Sequence, residues 1–200
     1  MSISASEIRE KAEKIRGQIT ADRRKLHQIP EIGMDLPETS AYIRKGLDEM
    51  GIPWKDCGGE LPEKVTKDFM EAGFPRMERA VGVTAVIGKG SPCILLRADM
   101  DALPIREESD LEFKSCNGYG HMCGHDSHVA MLLGAAQILK DMEDSLKGSV
   151  KLVFQPGEET GAGARVLVEN GLLENPKVDA AFGLHVQPAT KTGEAGYSVG

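Results

Sequence analysis

Three short segments concentrate the side chains able to do chemistry: Arg97-Ala98-Asp99-Met100-Asp101, His121-Met122-Cys123-Gly124-His125-Asp126-Ser127-His128 and Gln155-Pro156-Gly157-Glu158-Glu159, with His185 further on. Cys, His, Glu and His are donor types that a divalent metal such as zinc takes, and Cys123-x-His125 can present two of them from a single turn. Adjacent glutamates divide labour: one can bind metal while the other takes a proton from metal-activated water and passes it to a leaving nitrogen. A bound metal lowers the pKa of water from about 15.7 to about 7, which makes hydroxide available at neutral pH. Read singly, each group also has a structural explanation. Cys123 suits a small buried position at a helix start, His125 a satisfied structural histidine, Glu158-Glu159 a helix N-terminus where the macrodipole favours acids, and Asp99 and Asp101 a strand-end turn. Two carboxylates shortly after the apolar Val153-Phe154, past Gln155-Pro156-Gly157, nevertheless call for a compensating cation, because unpaired buried carboxylates are costly.

The elements that must position these groups follow from periodicity. Ile8, Ala12, Ile15, Ile19 and Leu26 recur at helical spacing and stop at His27-Gln28-Ile29-Pro30, which predicts one long amphipathic helix. A second helix starts near Glu38-Thr39-Ser40, carries Tyr42, Ile43, Leu47 and Met50, and ends at Gly51. Residues 53 to 80 mix Pro, Gly and charge and read as an excursion with at most one short helix. From Val81 onward strands alternate with helices: strands 81–87, 93–98, 149–155 and 178–186, helices 127–142 and 163–173. The expected fold class is therefore α/β, a mostly parallel sheet covered by helices on both faces. Of the chemically able segments, all but the His121–His128 one end a strand, and that one opens a helix. Strand ends of an open α/β sheet form the crevice where ligands bind, so the segments should converge there.

Bulk properties narrow the class. The chain has 200 residues, 40% hydrophobic, enough to bury a core as one domain. Its formal charge of −7, with no basic block, argues against nucleic acid or an anionic membrane as partner. The N-terminus runs straight into charged amphipathic sequence with no apolar leader, so a cytoplasmic location is expected. Cys57, Cys93, Cys116 and Cys123 form no CxxC pair and imply no disulfide framework.

Taken together, R-A-D-M-D-A-L-P, G-H-M-C-G-H-D, F-Q-P-G-E-E-T-G-A-G-A and G-L-H-V, in this order and after an opening H-Q-I-P-E-I-G, resemble the aminoacylase/carboxypeptidase family of co-catalytic metallohydrolases. The resemblance is strongest to the amidohydrolase branch, which includes hippurate hydrolase, bacterial N-acyl-amino-acid deacylases and plant auxin-conjugate hydrolases, and it covers nearly the whole chain except residues 53 to 80. It implies that Cys123, His125, Glu159 and His185 are metal ligands, that Cys123 can bridge two metal ions, and that Glu158 is the general base. The wider family has a histidine ligand where Asp99 stands here, so Asp99 and Asp101 are expected to support the ligands from behind, while Asp126 and His128 orient the ligand loop. The complete site would hold two divalent ions, zinc or manganese foremost, with nickel or cobalt as alternatives. The family also implies a lid and dimerisation domain and a C-terminal segment with a last metal-binding histidine, both expected beyond Gly200, so that residues 1–200 form the N-terminal portion of the catalytic domain and the complete protein is a candidate homo-oligomer.

The leading expectation is metal-dependent hydrolysis of the amide bond of an N-acyl amino acid or small peptide. Two others stand beside it: a Cys123 thiol-dependent hydrolase with His125 or His128 as base, and a non-catalytic metal-binding fragment.

Overall fold

A computed structural model describes residues 4–197. The N-terminal helical stretch is two helices, α1 (Ala5–Lys14) and α2 (Arg16–His27), kinked at Ile15 rather than continuous. The kink sits beside Gly17, a poor helix former. Helix α3 (Pro37–Glu49) begins with Pro at its first turn, where a missing N–H costs nothing. Its N-cap, Leu36, has no side chain to offer, and Glu31 replaces it: one carboxylate oxygen accepts from Glu38 N–H and the other from Thr39 N–H.

Five strands form one sheet in the order β1-β2-β4-β3-β5: β1 (Trp54–Glu60), β2 (Arg79–Gly88), β3 (Cys93–Asp99), β4 (Ser149–Gln155) and β5 (Ala180–Gly183). The expected α/β class and two-sided helical cover are both present. The sheet is mixed, however: β4-β3-β5 is parallel, whereas β1-β2 and β2-β4 are antiparallel. The antiparallel edge is β2 together with β1, and β1 comes from residues 53 to 80, which hold that strand as well as the short helix α4 (Glu63–Glu71).

Helix α5 (His125–Asp141) connects β3 to β4 across one face, and α6 (Gly163–Glu169) follows β4 on the other. Between the sheet and α2, α3 and α5 lie Leu26, Ile43, Leu47, Val83, Ala98, Leu133, Leu152 and Phe154. The opposite face packs Leu61, Met77, Leu95, Val153 and Leu167 against α4 and α6. Each Val, Leu, Ile, Phe or Met side chain among them, fully buried, contributes about 1.5–3 kcal/mol. Because α5 after β3 and α6 after β4 lie on opposite faces, the C-terminal ends of β3, β4 and β5 open on a crevice between the connections, the place where such sheets bind ligands.

One polar group in the second core stands out. Lys151, pointing from β4 and 2% exposed, donates through Nζ to the carbonyls of Leu172, Glu174 and Pro176, at 2.8, 2.8 and 3.1 Å. This single ammonium satisfies the backbone that turns from α6 into β5, and burial pushes its pKa down from the ordinary lysine value. Lys151→Met keeps the apolar stem but orphans the three carbonyls. It is expected to lower the unfolding free energy by about 1–3 kcal/mol, read as a lower denaturant midpoint at unchanged m.

Candidate metal centre

The parallel register aligns Asp99 with Gln155 and Arg97 with Gly183, so the chemically able segments leave the sheet at one level. Asp101 follows β3, Glu158 and Glu159 follow β4, His185 follows β5, and Cys123 and His125 flank the N-cap of α5. Gly124 between them is left-handed, φ 96°, and a Cβ there would meet Val186 Cγ2 at 2.5 Å. Glycine at this point lets Cys123 and His125 face the crevice together.

Asp101 ties the segments together. Its Oδ1 accepts from Glu158 N–H and its Oδ2 from Glu159 N–H, both at 3.0 Å, and its backbone carbonyl accepts from His125 Nδ1 at 2.9 Å. The last bond places the proton on Nδ1 and leaves the Nε2 lone pair facing inward. That Nε2 is buried and without a hydrogen-bond partner, 3.7 Å from Glu159 Oε1, itself buried and unpartnered, and 3.8 Å from Glu158 Oε2. Cys123 Sγ lies 3.3 Å from His185 Nε2, whose ring is oriented by a 2.6 Å bond from Nδ1 to the Val186 carbonyl.

Ligand-type atoms of Cys123, His125 and His185 lie within 4.8 Å of one another, as do those of His125, Glu158 and Glu159, and those of Asp99, His125 and His128. His125 belongs to all three groups. The donor set fits a cation: buried nitrogen and oxygen lone pairs face each other with no donor between them, which is costly unless a positive charge fills the space.

Asp99 is fully buried beside His125, with Oδ2 3.6 Å from the same inward-facing Nε2. Its Oδ1 pairs with His128 Nδ1, and its Oδ2 faces Arg97 Nη1 at 2.6 Å, an ion pair without an aligned hydrogen bond. Burial alone raises the Asp99 pKa, but His128, His125 and Arg97 outweigh it and the net shift is downward. The Cys123 thiol moves the other way. Burial and the carboxylates of Glu159, Glu158 and Asp99 push it up to about 11, the reverse of the electropositive setting that makes a cysteine nucleophilic.

Asp126, the remaining sequence candidate, joins none of these groups. Its carboxylate turns to α2, with Oδ2 2.7 Å from His27 Nδ1 and 3.0 Å from Arg23 Nε. His27 Nε2 in turn meets Glu107 Oε1 at 3.1 Å. Both ring nitrogens thus face carboxylates, and the hydrogen bond to Asp126 leads the causes that raise the His27 pKa. Sequence spacing gives His27, Arg23 and Glu107 no partner in this network. The only available signal was the position of His27 at the head of H-Q-I-P. His121 lies beside this network, buried, with neither ring nitrogen hydrogen-bonded, and burial pushes its pKa down to about 4.

Comparison with known proteins places this geometry in a family. The sequence profile of Peptidase family M20/M25/M40 matches residues 95–200, more than half of the chain, and the chain belongs to that family. It is 47% identical over 166 residues to IAA-amino acid hydrolase ILR1-like 5 of Arabidopsis thaliana, covering 82% of this chain and 33% of that protein. It is 42% identical over 186 residues to N-acetyl-L-cysteine deacetylase of Bacillus subtilis, covering 92% of this chain and 39% of that one. Among solved structures, the Bacillus subtilis YxeP protein, described as a dinuclear metal binding peptidase from the M20 family, superposes with a TM-score of 0.72 at 37% identity, over 88% of this chain and 45% of that one. The chain therefore spans about a third to two-fifths of the length of these curated relatives. No helix among the described residues is long and apolar enough to cross a membrane.

The α2–α5 clamp gives a pH-dependent prediction. The Glu107 side chain is 5% exposed and accepts from Ser109 Oγ, Ser115 N–H and His27. Burial raises its pKa, but these bonds prevail and hold it at about 2, below the ordinary 4.5. A depressed acid contributes stability that is complete above its unfolded pKa and lost as pH falls through the folded one. The protein is therefore expected to be about 1–3 kcal/mol more stable than Glu107→Gln above pH 4.5. That difference should shrink progressively from pH 4.5 towards 2 in denaturant titrations.

Proposed function

We propose that this chain is the N-terminal, metal-binding portion of a cytoplasmic amidohydrolase that cleaves the amide bond of N-acyl amino acids or small peptides. The observation that carries the reading is the inward-facing set of unpartnered donors around His125, built at the crevice of a sheet that belongs to a peptidase family. In this reading Cys123, His125, Glu159 and His185 hold two divalent ions, zinc or manganese foremost, and the rest of the fold, with lid and last ligand, lies in the remaining length that the relatives have. That one of those relatives is an IAA-amino acid hydrolase and another an N-acetyl-L-cysteine deacetylase supports N-acyl amino acids as the substrate class.

A bound metal pair supplies Lewis acidity to the scissile carbonyl and acidifies the attacking water. Glu158 is the proton carrier. Its backbone is pinned by Asp101 Oδ1 while its side chain remains 39% exposed, so the carboxylate can reach both the entering water and the departing nitrogen. It takes one proton from water as the carbonyl carbon is attacked and delivers that proton to the amide nitrogen as the C–N bond breaks, regenerating the carboxylate. Glu159, pinned by the same aspartate and 18% exposed, stays inward as a ligand. Asp101 holds His125 from behind through Nδ1, Asp99 supports the site through its bond to His128, and Asp126 fixes the first turn of α5 to α2. The acidic surroundings of Cys123 weigh against a thiol nucleophile.

The test uses the full-length gene product, stripped of metal and resupplied with zinc or manganese, with release of free amino acid from N-acetyl and N-benzoyl amino acids as readout. Turnover is expected to depend on metal. Glu158→Gln is expected to lower kcat by about 10²–10⁴-fold while metal content by elemental analysis is unchanged. Activity that survives chelation and is abolished by thiol alkylation would overturn the reading in favour of Cys123 chemistry.

A further inference from the structure

The segment carrying His185 is thinly held. Its backbone pairs with β3 only as far as Gly183, and residues 180–197 are exposed throughout. Among the described residues, the hydrogen bonds from residues 184–197 to the rest of the molecule are the Cys123–His185 contact and one from Val186 N–H to His128 Nε2 at 3.0 Å. His128 is buried on α5, one turn after His125 on the same side of the helix. A backbone N–H can only donate, so His128 Nε2 accepts, and its Nδ1 carries the proton given to Asp99 Oδ1. The carbonyl of the same Val186 residue receives His185 Nδ1, and the Val186 side chain rests against Gly124.

From this chain of contacts we infer that His128 is a positioning residue for His185: its Nε2 fixes Val186, whose carbonyl sets the tautomer and direction of the His185 ring, so that His185 Nε2 meets Cys123. The inference rests on the proposed role of His185 as a ligand. Buried Asp99 therefore orients His128, which orients His185, and the ligand after β5 is coupled to the Asp99–Asp101 segment at the end of β3 through a histidine outside the ligand set.

Two substitutions separate the halves of the His128 ring. Asn places an amide nitrogen near the position of Nδ1 and keeps the donor to Asp99, but cannot reach Val186. Gln places an amide oxygen near Nε2 and keeps the acceptor for Val186 N–H. The probe is Co²⁺ added to the metal-stripped full-length gene product, its affinity measured by competition with a chromophoric chelator and its thiolate bond by the sulfur-to-cobalt charge-transfer band. Expected results are a loss of Co²⁺ affinity in His185→Ala and a loss of about 10–100-fold in His128→Asn. His128→Gln should recover most of that loss, and His128→Asn should add no further loss in the His185→Ala background. Wild-type affinity in His128→Asn, or an equal penalty with and without His185, would overturn the inference, the latter marking a general structural role. Wild-type affinity and an unchanged band in His185→Ala would instead remove His185 from the ligand set, and the inference would fall with that reading.

Discussion

The site depends on one aspartate with three acceptor atoms in use. Asp101 stands just past β3 and takes the N–H groups of Glu158 and Glu159 on its carboxylate and the ring N–H of His125 on its backbone carbonyl. These bonds join β3, the turn after β4 and the start of α5, which no continuous secondary structure connects. A buried carboxylate with both oxygens satisfied by backbone N–H groups is a rigid anchor, because its partners cannot rotate away as side chains can. With that anchor in place both adjacent glutamates bring a carboxylate oxygen to within 4 Å of His125 Nε2, but Glu159 is the more enclosed and Glu158 the more open to solvent, so two residues of the same type acquire different environments.

Around this anchor the polar groups run in two directions. One set, Arg97, Asp99 and His128, backs the crevice from the sheet side. The other, Arg23, Asp126, His27 and Glu107, locks α5 to α2. In both, a buried aspartate sits between an arginine and a histidine, which offsets the cost of removing its charge from water. His125 opens the helix whose first turn both sets hold, so its ring is constrained from the strand side and from the helix side.

Much of this was legible from residue types and order. Strands 93–99 and 149–155 were readable because central strands buried on both faces are short continuous apolar runs, and the convergence of Asp99, Gln155 and His185 follows from parallel register. Strand β1 was not legible. Trp54-Lys55-Asp56-Cys57-Gly58-Gly59-Glu60 is an edge strand with little alternation, and its glycines suggest a turn. Their actual use is close approach, since a Cβ on Gly58 would meet the Ala80 carbonyl oxygen at 2.2 Å. Strand β5 is shorter than its apolar run, because it pairs on one side with only four residues of β3. The bonds of His27 and His128 could not be read either: each joins residues far apart in the chain, and a histidine's spacing says nothing about which carboxylate it will meet.

The charge balance at the crevice links these parts. Asp99, Asp101, Glu158 and Glu159 converge with the Cys123 thiol, while Arg97 is the one arginine paired into the cluster among the described residues. Hydrogen bonds satisfy Asp101 and half of Asp99 and leave the inward atoms of His125 and Glu159 unmatched. The unmatched atoms are the ones that the anchors hold in place. A polypeptide that fixes lone pairs towards one another and keeps donors away lowers the energy of its folded state when a cation enters, so cation binding and the stability of the α5 start and the Glu158–Glu159 turn are thermodynamically linked.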